Sequence, residues 1–226
     1  MKPDLIARAV LLAPSFIIPN LKSGFYKTYD YMMGVILHAV QSVYNGWMGG
    51  EFVDILQSLI IGQMTQAYKQ AWEDDGNTSF FLPDFLQQGL DENISRNTNF
   101  DYIYSYYTDI VDARVDKTSI EPLLARASLW ANRYNEAYSE AVALIASKNG
   151  GKLLWILGRT EQHCPTCSAL NGIVAYANEW ELAGVKPQGA PNAALDCGGW
   201  RCDCTLIPTT ERRTRNAFNR IMSARL

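Results

Sequence analysis

The sequence predicts an α+β protein: a mainly helical N-terminal domain followed by a small β-hairpin module of zinc-knuckle type. Three observations predict it. Apolar residues recur at three- and four-residue steps through most of the first 150 positions. Gly150-Gly151 ends that pattern, and short apolar runs with turn signals follow. All five cysteines lie between positions 164 and 204. The expected division is a helical domain over 1–150, a Cys-rich α+β module over 151–210 and a basic C-terminal tail over 211–226.

A first helix is expected over 24–44, with Tyr29, Met32, Ile36, Val40 and Val43 on its apolar side. A second begins after Gly49-Gly50. Phe52, Ile55, Leu56, Leu59, Ile60, Met64, Ala67, Tyr68, Ala71 and Trp72 form one stripe, and Asp74-Asp75-Gly76-Asn77 ends it. A third starts near Pro83, a favourable first-turn residue. Residues 100–114 are rich in aromatics and read equally as helix or strand. Thr118 and Glu121 stand at capping-box spacing with Pro122 in the first turn, so a long helix is expected from there to Lys148. In the module, 153–157 reads as a buried strand, and Asn171-Gly172 as a hairpin turn. Residues 177–184 read as a short helix and 205–207 as a closing strand. The segment from Glu211 has helical character.

Composition narrows the function. The chain has 226 residues, 48% hydrophobic and 19% charged, which suits a folded protein. Net charge is −3, unevenly spread. Residues 50–116 carry twelve acids and three bases, whereas 211–226 carries Arg212, Arg213, Arg215, Arg220 and Arg225 against Glu211. The middle would repel a phosphate backbone and only the tail would attract one. Asp4, Arg8, Pro14 and Pro19 interrupt the apolar N-terminus, which argues against a signal peptide. No uncharged apolar run reaches the length of about 18 residues that a membrane span needs.

The cysteines are the strongest chemical signal. Cys164-Pro165-Thr166-Cys167 is a knuckle whose two sulfurs can reach one ion from a tight turn. Cys197, Cys202 and Cys204 offer the remaining donors, and Gly198-Gly199 frees the backbone to fold Cys197 back. The candidate metal ligands are therefore Cys164, Cys167, Cys197, Cys202 and Cys204, with the choice of four left open. A structural zinc ion, Zn2+, is the favoured occupant; disulfides or unligated thiols are the competing states. A module of about sixty residues is near the size at which a core alone is marginal, which gives the ion a role. His163 reads as a neighbour of the knuckle and His38 as a packed helix residue. Neither has an evident Asp/Ser or Asp/Cys partner in sequence, and no phosphate-binding glycine loop is present. Trp155, Trp180 and Trp200 read as builders of a small core rather than base-stacking platforms. The tyrosines, twelve in all and mostly N-terminal, suit a protein interface.

Several segments together resemble a known family. They are Trp155-Ile156-Leu157-Gly158, then 161–172 around the knuckle, Val185-Lys186-Pro187-Gln188, Pro191-Asn192, and 197–208 through Cys202-Asp203-Cys204 to Pro208. This pattern resembles the C-terminal half of tailed-phage minor head proteins, the Mu F-like head morphogenesis family. The helix around 129–135 is similar to the one that precedes the module in such proteins. Many family members carry a histidine shortly before the last cysteine pair, where this chain has Cys197 farther upstream. The resemblance covers about 90 residues. It implies a structural component of a virion or prohead, assembled in the host cytoplasm, and not an enzyme. Its expected partners are the portal and/or the major capsid protein, with possible DNA contact through the basic tail and no membrane span. The expected role is head assembly or genome packaging and delivery. A nucleic-acid-binding zinc module is the alternative reading.

Overall fold

The computed structural model describes residues 24–79, 81–98, 100–131, 133–158, 162–188, 192–199 and 204–225. Among the described residues, six helices come first. They are α1 (Gly24–Tyr44), α2 (Glu51–Asp74), α3 (Asp84–Asn97), α4 (Phe100–Val115), α5 (Glu121–Ala131) and α6 (Arg133–Lys148). Then follow β1 (Lys152–Ile156), α7 (Pro165–Leu170), β2 (Val174–Tyr176), α8 (Ala177–Ala183), β3 (Thr205–Thr209) and α9 (Ala217–Ala224). The described residues are mostly helical with one small antiparallel sheet, as the α+β expectation requires.

The chain forms two compact units. The first comprises Met1–Gln66 and Asp91–Tyr134; the second comprises Ala67–Leu90 and Asn135–Leu226. The division passes through α2, through α3 after Leu90, and through the start of α6 just before Asn135. Gly150-Gly151 marks the change from helix to strand, whereas packing groups α6 with the sheet.

In the first unit, α1 packs against α4 and α5. Ile36, Val40, Val43, Phe52, Leu56 and Ile60 are buried, following the stripes read from sequence. Residues 100–115 resolve as helix. Ile103, Tyr106, Ile110 and Ala113 are all buried, a spacing only a helix can place on one face. Tyr106 stacks on Trp130 at 6.0 Å, lies under the Arg126 guanidinium at 4.7 Å and donates its hydroxyl to the Leu123 carbonyl at 2.6 Å. Burial pushes that hydroxyl well above the ordinary tyrosine pKa, and the Arg126 charge opposes this only in part. Gln63 is buried but donates its amide to the Trp130 carbonyl at 2.8 Å.

The start of α5 differs from expectation. Ser119, not Thr118, pairs with Glu121: its hydroxyl donates to the Glu121 carboxylate, and the Glu121 N–H donates back to it. Thr118 instead directs its hydroxyl to the Ala113 carbonyl at the end of α4. The long helix read from Thr118 to Lys148 is helical over α5 and α6; position 132 between them lies outside the described residues.

In the second unit, the sheet runs β2-β1-β3, both pairs antiparallel. Leu153 and Trp155 alternate inward from β1. Trp155 meets Trp180 of α8 at 5.7 Å between ring centres, and the Trp180 indole N–H donates to the Leu153 carbonyl at 3.2 Å. Both tryptophans are buried, so they build the core as expected; Trp200 lies outside the described residues. Asn171-Gly172 is a turn, with Gly172 at φ 78°, but it joins helix α7 to β2 rather than two strands. Pro165 at the first helical position, capped by Cys164, turns the segment before it into a helix. The expected hairpin is thus a three-stranded sheet with β1 at its centre.

The basic tail is not a loose end. Thr214 covers the outer edge of β2: its N–H donates to the Val174 carbonyl at 2.9 Å, and its hydroxyl accepts from the Val174 N–H at 3.0 Å. Helix α9 then packs on α7, α8 and β2 through buried Ala217 and Ile221. Arg213 grips both oxygens of Glu179, whose carboxylate also accepts from the Tyr176 N–H at the start of α8. The Arg213 hydrogen bond holds the Glu179 carboxyl below its usual range, against the opposing effect of burial. A depressed folded pKa means stability that is present above the unfolded value of about 4.3 and lost as pH falls through the folded value. The tail's anchorage is therefore expected to be level from neutral pH to about 5 and to weaken below about 4.3. Glu179→Gln should remove about 1 kcal/mol at neutral pH, since the pair is half-exposed, and flatten that acid dependence. Proteolysis at Arg212 and Arg215 against pH measures both.

Candidate metal centre

Two turns, thirty residues apart in sequence, build this site. The first is the entry to α7. Cys164 is extended (φ −67°, ψ 157°) and sits as the cap, its sulfur accepting from the Cys167 N–H at 3.3 Å. Pro165 suits the first helical position because it has no N–H to leave unsatisfied. The helical turn that follows returns Cys167 to the same side as Cys164.

The second turn is formed by 192–199. Asn192 fixes its base: the side-chain amide donates to the Lys186 carbonyl at 3.2 Å, and the side-chain oxygen accepts from the Ala194 N–H at 2.9 Å. Its backbone N–H donates to the Gly198 carbonyl at 2.8 Å, and the Gly198 N–H to the Leu195 carbonyl at 2.8 Å. Gly198 and Gly199 both take positive φ, 60° and 78°, which side chains disfavour. This reversal delivers Cys197 to the knuckle.

The Sγ atoms of Cys164, Cys167 and Cys197 all lie within 4.8 Å of one another. Cys167 and Cys197 stand 4.0 Å apart, and neither they nor Cys164 are in a disulfide. Cys167 is buried; Cys164 and Cys197 are half-buried. Burial opposes ionisation of Cys164, but the Cys167 N–H outweighs it together with the Cys167 thiol and the N–H and thiol of Cys197. The Cys164 pKa is consequently held below the ordinary thiol value, favouring the thiolate that binds metal. Three convergent sulfur donors, one of them favoured as thiolate, are placed to hold a metal ion.

Of the five sequence candidates, the structure brings together Cys164, Cys167 and Cys197. Cys204 is buried just before β3, with its sulfur 4.0 Å from His163 Nδ1. The Gln188 amide donates to its carbonyl at 2.9 Å and fixes that position. Cys202 lies outside the described residues. Sequence reasoning missed Thr166 and Asp196. The Asp196 carboxylate accepts from the Thr166 N–H at 2.9 Å and from its hydroxyl at 2.7 Å, and the Asp196 N–H donates to Thr166 Oγ1 at 3.2 Å. Each of the two immediately precedes a cysteine of the triad, the one sequence signal that could have marked them.

No helix among the described residues is long and apolar enough to cross a membrane. No protein-family model, curated protein or solved structure matches the chain.

Proposed function

We propose that this chain is a structural head-morphogenesis protein of a tailed phage or prophage, with a structural zinc ion in its C-terminal unit. The observation that carries the reading is the meeting of Cys164 and Cys167 with Cys197. These are the motif segments by which the sequence resembles the Mu F-like family, and they form one folded centre. Sulfur donors suit zinc, and two thiolates on one tetrahedral zinc at about 2.3 Å stand about 3.8 Å apart. The 4.0 Å between Cys167 and Cys197 is close to that ligand edge and about twice a disulfide bond. The fourth donor comes from His163, Cys202 or Cys204. Four protein ligands leave no open position, so the ion serves the fold and not a reaction.

Attachment to a portal or capsid lattice is supported by exposed aromatics in the first unit. Trp47 is 76% exposed and Tyr102 71% exposed, with Tyr104 beside them in type if not in sequence. Aromatic side chains of this kind carry much of the energy of protein interfaces. Co-expression with the portal and major capsid proteins of the same virus tests the reading. The chain should co-purify with a portal ring or prohead and contain one zinc per copy. Purification as an independent protein without zinc, in the presence of both partners, would sink it.

One observation favours the alternative, a nucleic-acid-binding zinc module. Arg212, Arg215 and Arg220 are exposed on the tail, whereas Arg213 is engaged by Glu179. If those three contact phosphates, DNA affinity should fall with salt at a log–log slope of roughly −3. Absence of binding by the full chain at low salt removes this alternative.

A further inference from the structure

We infer that Thr166 and Asp196 form a bracket that holds the two cysteine turns together before any ion binds, making them the positioning residues of the metal centre. The metal half of this inference rests on the zinc reading above; the bracket itself does not.

The geometry is reciprocal. One carboxylate oxygen of Asp196 receives both the backbone N–H and the hydroxyl of Thr166, while the Thr166 hydroxyl oxygen receives the Asp196 N–H. Three hydrogen bonds thus join two segments thirty residues apart without using a sulfur. The next residue in each segment is a thiol of the triad, Cys167 in one and Cys197 in the other. Fixing the backbones at 166 and 196 therefore fixes the origins of the two side chains whose sulfurs stand 4.0 Å apart. Thr166 is buried at 2% exposure, so its hydroxyl has little water to turn to if Asp196 is lost.

Both halves of the bracket are independently supported. The Thr166 turn is fixed by Pro165 and the Cys164 cap, and the Asp196 turn by the hydrogen bonds of Asn192 and Gly198. The unit around them does not depend on an ion for its core. Trp155, Trp180, Leu170 and Val185 are all buried within it. A site of this kind meets its metal with Cys167 and Cys197 already placed. Loss of an outer partner of a metal ligand typically lowers metal affinity about 10- to 100-fold.

The test uses the full chain, stripped of metal by chelation under reducing conditions, as wild type, Asp196→Ala, Asp196→Asn and Thr166→Val. Amide exchange at Thr166 and Asp196 is followed in the metal-free chains, and zinc affinity is measured by competition titration. Near-ultraviolet circular dichroism of the tryptophans checks that each variant keeps its fold. Metal-free wild type should protect both amides. Asp196→Ala should lose protection at residue 166 and Thr166→Val at residue 196, with zinc affinity falling about 10- to 100-fold in each. Asp196→Asn, which keeps an acceptor oxygen, should fall between them. Equal exchange in metal-free wild type and Asp196→Ala would overturn the bracket, as would wild-type zinc affinity in both Ala and Val variants. A wild type that takes up no zinc would overturn the zinc reading alone, because the exchange comparison still decides the bracket. Should Asp196→Ala fail to fold, Thr166→Val decides, since it preserves the shape of the buried side chain.

Discussion

Trp180→Ala should destabilise the C-terminal unit by about 3–5 kcal/mol, the cost typical of removing a large buried aromatic. Three losses add up at this position. The indole is buried, so its truncation leaves a cavity beside Trp155, whose ring centre lies 5.7 Å away. The contact of the two tilted rings is lost, worth about 1 kcal/mol beyond area alone. The Leu153 carbonyl, in the central strand of the sheet, loses the indole N–H that donates to it in addition to the strand pairing opposite Ala175. Trp180→Phe separates these terms: it refills most of the volume but still lacks the indole N–H, and should cost about half as much. Thermal unfolding followed by near-ultraviolet circular dichroism measures both. A midpoint drop of roughly 10 °C is expected for the alanine variant. A change of less than 1 kcal/mol would mean that the two rings are not the centre of this core.

Several parts of this structure were legible in the sequence for physical reasons. Helices α1 and α2 combine long apolar stripes with firm punctuation at Gly49-Gly50 and at Asp75-Gly76, so period and stop agree. The buried strand, the short helix α8 and the closing strand were also readable, each bounded by turn residues. Residues 100–115 were ambiguous because Tyr102, Tyr104 and Tyr106 alternate like a strand. What decides is that Ile103, Tyr106, Ile110 and Ala113 are buried at helical spacing, whereas Tyr102 and Tyr104 are exposed. Asn171-Gly172 is a turn in sequence and in structure. Its neighbours were misread, because a Pro-initiated helical turn competes locally with a strand and only the packing of Leu170 and Cys167 decides.

The metal centre was legible in part. Clustering of the thiols pointed to the site, but three candidates for the second half remained equal until the 192–199 turn was seen to carry Cys197 to the knuckle. The Thr166–Asp196 bracket could not be read, since neither residue has a local pattern and they meet only in the folded chain. The size argument for a metal staple also changes. It counted residues 151–210 alone, whereas the second unit includes 67–90, α6 and the docked tail helix α9. The unit that carries the three cysteines therefore has a larger core than the residue count of 151–210 implies.

Serine substitutions at Cys164, Cys167 and Cys197 should each lower zinc affinity by at least about two decades, roughly 3 kcal/mol or more. Serine keeps the size of the side chain but replaces a polarisable thiolate by a hydroxyl that stays protonated at neutral pH, so a donor is lost with little change in packing. Cys197→Ser is the most informative of the three. It leaves the knuckle and its Cys164 cap intact, removing only the donor that the second turn delivers. If the knuckle alone held the ion, this variant would keep one zinc per chain, and the centre described here would be wrong. Cys202→Ser, Cys204→Ser and His163→Ala then assign the fourth donor: the one whose loss matches the triad variants supplies it, and the others retain close to one zinc. Cys204 and His163 stand 4.0 Å apart, so the double variant should be no weaker than the single variant that carries the ligand. Metal analysis of the purified variants beside competition titration gives stoichiometry and affinity together. Because the Trp155–Trp180 pair is built without any of the three sulfurs, these losses should appear as zinc released, with the tryptophan signal of the core retained.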